Sequence, residues 1–325
     1  MWMEGSTSGV YRMWFQHMDI NRIPFYQYNT IIVGTGAAGL NAAVTLHKLG
    51  QKNIALITEG RYMGTSRNTG SDKQTYYKMT QCGSEPDSVR KMAKTLFEGG
   101  CVDGDIAMAE AAGSLRAFYH LVDIGVPFPF NKSGEYVGYK TDHDPLKRGI
   151  SAGPLTSKYM TECLERQAEE RGIPFFDGYQ AVRLLTEEKD GEKRAAGIIA
   201  LNKQKAASPD ERYAVFSAVN IIWATGGEAG MYQASVYPVS PTGGMGGLLE
   251  AGAVAKNLTE SQFGIASVKH RWNLSGTFQQ CLPRYLSAEQ DGSHEREFLN
   301  DYFDTPRQLL TAIFLKGYQW PFDPR

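Results

Sequence analysis

The sequence predicts an α/β fold in three layers, with a parallel sheet at its centre. Three observations predict it. Short apolar, β-branched runs alternate with segments of helical periodicity along much of the chain. The first of those runs breaks on a spaced set of glycines that opens a helix. Further on, alternating segments flank the turn Lys189-Asp190-Gly191-Glu192, the pattern of an antiparallel β-meander inserted among the parallel strands.

Residues 1–28 carry Trp2, Tyr11, Trp14, Phe15, Phe25 and Tyr26. That aromatic density suits an arm packed on this subunit or a neighbour better than a solvated tail. Thr30 to Val33 then reads as a buried parallel strand. Gly34, Thr35, Gly36, Ala37, Ala38 and Gly39 spell G-x-G-x-x-G, and Leu40 to Leu49 follows as a helix stopped by Gly50. A second apolar strand, Ile54 to Ile57, ends in Thr58-Glu59-Gly60.

Each part has a mechanical reason. Gly34 allows the tight strand-to-helix turn, Gly36 lets backbone approach a pyrophosphate, and Gly39 lets helix pack on strand. Ala37 and Ala38 open a helix whose unpaired N–H groups and partial positive charge favour phosphate. Glu59 stands where an acid accepts hydrogen bonds from a ribose 2′-hydroxyl. Strand, glycines, helix, strand and acid in this order predict a Rossmann-like FAD/NAD(P)-binding domain.

A polar loop follows from Arg61 to Thr80, with Thr65, Ser66, Gly70 and Ser71 suited to a backbone that approaches a ligand. Helices are expected at 87–98, 105–124 and 154–170, and a strand at 173–176. Between them, residues 125–153 form a long Pro- and Gly-rich candidate lid that carries His143 and Arg148. The meander takes 180–185, 195–201 and 212–216. Another buried strand, 219–223, breaks on Ala224-Thr225-Gly226-Gly227. A second glycine cluster, 242–247, opens a helix over 248–253, and an apolar helix is expected at 308–315. The domains divide as an arm (1–28), a nucleotide-binding domain (29–255) and the start of an incomplete α+β capping region (256–325).

Composition excludes several classes. A net charge of −1 without a basic run argues against nucleic acid or an anionic membrane surface. No apolar run approaches the ~20 residues that span a bilayer, and no secretory signal opens the chain. Cys82, Cys101, Cys163 and Cys281 are scattered without a C-x-x-C pair, so neither metal nor disulfide is expected, and a reducing cytoplasm fits.

Taken together, Ile32-Val-Gly-Thr-Gly-Ala-Ala-Gly-Leu40, Ala224-Thr-Gly-Gly227 and Thr242-Gly-Gly-Met-Gly leading to Gly252-Ala253 resemble the flavoprotein subunits of the fumarate reductase, succinate dehydrogenase and L-aspartate oxidase family. The resemblance runs over roughly residues 29–262. It implies FAD, with Ala224, Thr225 and Gly226 toward its adenosine side. It also implies that the 65–73 loop runs beside the flavin ring and that the backbone of Ala181 and Val182 meets the adenine.

The departures are informative. Where membrane-bound relatives tether the flavin through a histidine in Ser-His-Thr, this chain has Ser66-Arg67-Asn68-Thr69, so FAD is expected to be non-covalent. The family's Gln-Phe/Tyr-His-Pro-Thr run appears only as Gln262-Phe263 followed by Gly264-Ile265-Ala266, and its Arg with Gly-Glu-Gly is absent. Arg271, His270, His143 and Arg148 are the remaining catalytic candidates. The closing Tyr-Ala-x-Gly-Glu segment is also absent, so the sequence reads as the N-terminal part of a longer flavoprotein. Uncovered apolar surface then predicts self-association or a partner electron-transfer subunit.

The expected activity is hydride transfer between flavin N5 and a small-molecule substrate, a carboxylate by resemblance. Two alternatives stand beside it: a flavin-binding subunit that is not catalytic alone, and a nicotinamide-linked dehydrogenase in which Glu59 favours NAD over NADP.

Overall fold

Strand β1, Phe25–Val33, forms where the first apolar run is expected but starts five residues earlier than the β-branched stretch. The structure, a computed structural model, describes residues 23–69, 74–100, 102–141, 144–227, 244–256, 266–267, 272–273, 279 and 281–316. The expected arm therefore lies outside the described residues except at its end. There Phe25 to Tyr28 belong to β1, and Tyr26 and Tyr28 pack against the core.

After β1 come α1 (Ala37–Lys48), β2 (Ile54–Thr58), a single helical turn α2 (Thr65–Asn68) and β3 (Tyr76–Tyr77). Helices α3 (Val89–Glu98) and α4 (Gly104–Asp123), strand β4 (Gly149–Ile150), helix α5 (Thr156–Glu170) and strand β5 (Phe175–Asp177) follow. Three long strands, β6 (Tyr179–Lys189), β7 (Glu192–Asn202) and β8 (Tyr213–Trp223), precede α6 (Met245–Glu250). The short pair β9 (Ala266–Ser267) and β10 (Trp272–Asn273) and helix α7 (Pro306–Lys316) complete the order. Two compact units result. One holds the described residues of Met1–Thr69 and Met160–Ala255, the other those of Gly70–Tyr159 and Lys256–Arg325.

The first unit is built on one sheet of six strands in the order β5-β2-β1-β8-β7-β6. Strands β5, β2, β1 and β8 run parallel, while β7 and β6 extend the sheet antiparallel. The meander thus continues the parallel sheet edge to edge. The two strands expected at 212–216 and 219–223 are one strand, β8, whose residues from Tyr213 to Ser217 pair with β7 and whose residues from Val215 to Trp223 pair with β1. The polar pair Ser217 and Asn220 interrupts the apolar pattern without breaking the ladder, because Ser217 stands opposite both Gly197 and Gln27.

Burial explains the composition of the strands. All five residues of β2 are buried, as a strand covered on both faces requires. Each Ile or Leu so buried contributes about 1.5–3 kcal/mol. Ile31, Val33, Ile57, Ile198 and Phe216 lie in a core cluster closed by Tyr26, Phe176 and Tyr179. The Tyr26 ring stacks on Phe216 at 4.9 Å and meets Phe176 edge-on at 4.7 Å. The β6–β7 hairpin turns on Asp190 (φ 55°) and Gly191 (φ 79°), both left-handed, as a two-residue turn of the Asp-Gly type needs.

In the second unit Ser88 caps α3 by accepting from Lys91 N, and Asp103 caps α4 by accepting from Asp105 N and Ile106 N. The stretch 61–80, expected to be loop, contains α2 and then β3, which pairs antiparallel with β4. Arg148 is 1% exposed. Its Nε and Nη2 donate to the two oxygens of Asp87 at 2.9 and 2.7 Å, and Nη1 donates to Thr95 Oγ1 at 2.9 Å and Tyr77 Oη at 3.2 Å. Tyr77 in turn donates to Asp144, so two carboxylates, a phenol and a guanidinium form one bonded network inside the unit.

Candidate functional site

Two glycines of the turn, Gly34 and Gly39, are held there by a neighbour. Gly34 has φ +107°, and a Cβ on it would lie 2.3 Å from Ala224 O. A Cβ on Gly39 would lie 2.0 Å from Gly34 O. The ends of β1 and β8 are also joined by Ala224 N donating to Val33 O at 2.8 Å. Ala224 and Gly34, far apart in sequence, therefore close one side of the turn together. Thr225 and Gly226 continue from there, with Gly226 at φ +81°.

Gly36 is the N-cap of α1 and carries no side chain to satisfy the first helical N–H groups. The Ala37 N–H donates instead to Ser66 Oγ at 3.2 Å. A Cβ on Gly64 would sit 3.6 Å from Gly36 Cα, so the segment from Gly64 to Ser66 lies against the glycine of close approach. Thr35 Oγ1 donates to Thr58 Oγ1 at 3.0 Å, which ties the end of β1 to the end of β2. Glu59 follows directly and accepts from Lys203 Nζ at 2.8 Å. Its carboxylate keeps acceptor capacity for a hydroxyl, because one ammonium contact occupies only part of it.

Val182 has no register partner across the ladder: Ala181 pairs with Ala200 and Arg183 with Ile199. The bulge leaves Val182 outside the regular β6–β7 pairing, next to the paired Ala181, and Val182 is exposed. Trp223 Nε1, at the end of β8, is buried and has no hydrogen-bond partner among the described residues. A Cβ on Gly244 would lie 2.8 Å from it and 2.1 Å from Thr225 Oγ1.

An extended dinucleotide fits this set. It needs a helix N-terminus for the pyrophosphate, backbone without Cβ beside it, an acid for a ribose and free backbone for a base. The turn, Glu59 and the Val182 bulge supply all four. Residues 29–283 match the family of the FAD binding domain. The chain belongs to that family. FAD is thus the dinucleotide of this chain.

Among curated relatives, the L-aspartate oxidase of Agrobacterium fabrum is 28% identical over 242 residues, covering 72% of this chain and 42% of the relative. The 8-methylmenaquinol:fumarate reductase flavoprotein subunit of Wolinella succinogenes is 27% identical over 271 residues, covering 82% of this chain and 42% of the relative. The chain thus spans about two fifths of the length of these proteins. In fold it is similar to an open-form flavocytochrome c3 fumarate reductase, with a TM-score of 0.65 at 18% identity over 90% of this chain and 51% of the other. It is also similar to the E. coli quinol fumarate reductase, with a TM-score of 0.58 at 22% identity over 70% of this chain and 37% of the other.

Gly70, Ser71, His143, His270 and Arg271 lie outside the described residues. Arg148 sits in the buried ion network of the second unit, where its bonds to Asp87, Thr95 and Tyr77 occupy all three nitrogens. A cavity of about 620 Å³ opens in that unit between Met79 and Val89 and includes none of the residues around the glycine turn. Among the described residues no cluster of His, Cys, Asp and Glu could hold a metal, and no helix is long and apolar enough to cross a membrane.

The sequence did not point to Lys203, Trp223 or the charged residues Arg61, Glu165 and Glu169. Arg61 is stacked on the Phe175 ring at 4.1 Å and hydrogen-bonded by Glu165 and Glu169. Burial alone would lower its pKa, but those two carboxylates hold it above the ordinary arginine value. The spacing of Glu162, Glu165 and Glu169 on one helix face was the available signal.

Proposed function

We propose that this chain is the FAD-binding part of an oxidoreductase that moves a hydride between flavin N5 and a small carboxylate-bearing substrate. The observation that carries this reading is the closed glycine turn, in which Gly34 and Gly39 admit no side chain and α1 presents its N-terminus. The named relatives support the substrate class, since aspartate and fumarate are both small carboxylates. The missing histidine run after Gln262-Phe263 favours a substrate other than fumarate or succinate.

When bound, FAD supplies the two-electron redox chemistry, and the protein supplies orientation and electrostatics. The α1 N-terminus stabilises the pyrophosphate charge, Glu59 receives a ribose hydroxyl, and the bulge at Val182 offers backbone to the adenine. Ser66-Arg67-Asn68-Thr69 lacks a histidine, so attachment is non-covalent. A partner electron-transfer chain or a second copy of this chain completes the assembly.

Absorbance of the purified protein before and after acid precipitation tests the reading. Flavin bands that move into the supernatant and chromatograph as FAD are expected. Flavin retained in the precipitate, or a protein that takes up NAD and not FAD, overturns it. Turnover of a dye acceptor with a panel of small carboxylates then tests the activity.

A further inference from the structure

We infer that Glu165 is a positioning residue for the FAD site, acting through two arginines on the segment that lies against the glycine turn. Its two oxygens are divided between them: Oε1 accepts from Arg61 Nε and Oε2 from Arg67 Nη2. Arg61 and Arg67 stand at the two ends of a short segment that contains Gly64, Thr65 and Ser66. One carboxylate thus fixes both ends of the segment whose Ser66 Oγ receives the Ala37 N–H.

The surroundings make the clamp stiff. The Glu165 side chain is 11% exposed, and those of Arg61 and Arg67 are 18% and 14% exposed, so solvent screens the cluster little. Arg61 is further held by Glu169, by the face of Phe175 and by its own N–H, which donates to Asp177 Oδ1 at 2.9 Å. Arg67 is held by Glu162 at 3.4 Å and lies over the Tyr62 ring at 5.0 Å. Of these two arginines Glu162 reaches Arg67 and Glu169 reaches Arg61, whereas Glu165 reaches both. Within the segment, Asn68 Nδ2 donates to Gly64 O at 3.0 Å and Thr69 Oγ1 to Thr65 O at 2.8 Å, so a displacement at Arg67 is passed to Ser66.

The consequence concerns affinity. A carboxylate can accept from two guanidinium groups at once, whereas the amide of Glu165→Gln turns an N–H donor toward one of them. Ser66 then loses its fixed place over the first turn of α1, the turn that holds the pyrophosphate. This inference rests on the FAD reading.

Titration with FAD, followed by quenching of flavin fluorescence, tests it on the wild-type chain, E165Q and E169Q. E165Q is expected to raise the Kd for FAD about three- to thirtyfold, the range for residues coupled to a site without touching its ligand. E169Q is expected to stay within twofold. At saturating FAD, the visible circular dichroism of the bound flavin is expected to change in E165Q and not in E169Q, a signal that loss of fold stability alone would not move. Kd and spectrum unchanged in E165Q overturn the positioning role and leave the FAD reading intact. Failure of the wild-type chain to bind FAD overturns both. Where E165Q does not fold, Arg67→Lys serves in its place, because it keeps the charge and removes the fork. A raised Kd there supports the inference, and an unchanged one overturns it.

Discussion

Gly39→Ala and Gly113→Ala place the same methyl group on two helices and are expected to have opposite signs. Gly113 lies in α4, is exposed, and a Cβ there meets nothing within 4 Å. Alanine should gain helix propensity and stabilise the protein by about 0.5–1 kcal/mol. At Gly39 the same gain is available, but the methyl would lie 2.0 Å from Gly34 O, against ordinary contact at 3.4–4 Å. The shortfall of at least 1.4 Å falls on backbone, which has no alternative rotamer, so α1 must move off β1. Overpacking of this kind costs about 1–3 kcal/mol, and it should outweigh the propensity gain and leave a net loss of roughly 1–2 kcal/mol. Urea unfolding followed by fluorescence measures both variants, and FAD titration reports the turn directly. G39A is expected to lose most FAD affinity while G113A binds as the wild type does. A G39A protein that is more stable than the wild type, with FAD affinity unchanged, would refute the reasoning.

Other expectations concern the second unit. Arg148→Met strands Asp87 and Asp144, whose side chains are 1% and 3% exposed, and should cost about 3–5 kcal/mol in urea unfolding. Burial alone would raise the Asp87 pKa, but hydrogen bonds from Arg148 and from the Thr80 and Ser88 N–H groups leave it lowered from 3.8. A lowered folded pKa means that its contribution is full above the unfolded value of about 3.9 and is lost as pH falls through the folded value. The urea midpoint should therefore drop below about pH 4, and less steeply in D87N than in the wild type. Lys78 is 2% exposed, with its ammonium 4.8 Å from the Phe118 ring and 3.4 Å from Met79 O. Burial lowers its pKa. Lys78→Met gives up a cation–π contact of about 0.5–2 kcal/mol but removes the larger cost of a thinly solvated buried charge. It should leave the protein as stable as the wild type or more so, and a loss beyond 2 kcal/mol would contradict this account.

The βαβ unit and its glycines were legible in the sequence because each requirement is local. A β-branched run, a glycine at a left-handed φ and an acid at a strand end can be read without knowing any distant neighbour. The Asp190-Gly191 turn was legible for the same reason. What was not legible depends on pairing across the chain. Residues 212–216 and 219–223 look like two strands because Ser217 and Asn220 break the pattern, yet the ladder with β1 runs through them. The bulge at Val182 has no signature of its own, since it appears only when Ala181 and Arg183 are matched to β7. Arg148 reads as a candidate acid/base in a loop, but Asp87, Thr95 and Tyr77 reach it from other parts of the chain.

Strand β8 has a consequence for the order of events during synthesis. Gly34 leaves the ribosome early, but the carbonyl of Ala224 that closes its turn is made much later. The hairpins β6–β7 and β7–β8 join neighbours in sequence and can zip as they emerge, whereas β1 must wait for β8 across the whole intervening chain. Until then β1 is a nascent sheet edge with apolar faces, open to wrong pairing or to chaperones. A cofactor that needs the closed turn can be captured only after that ladder forms. The supply of FAD then acts on chains already made past β8 and gives no help to shorter ones.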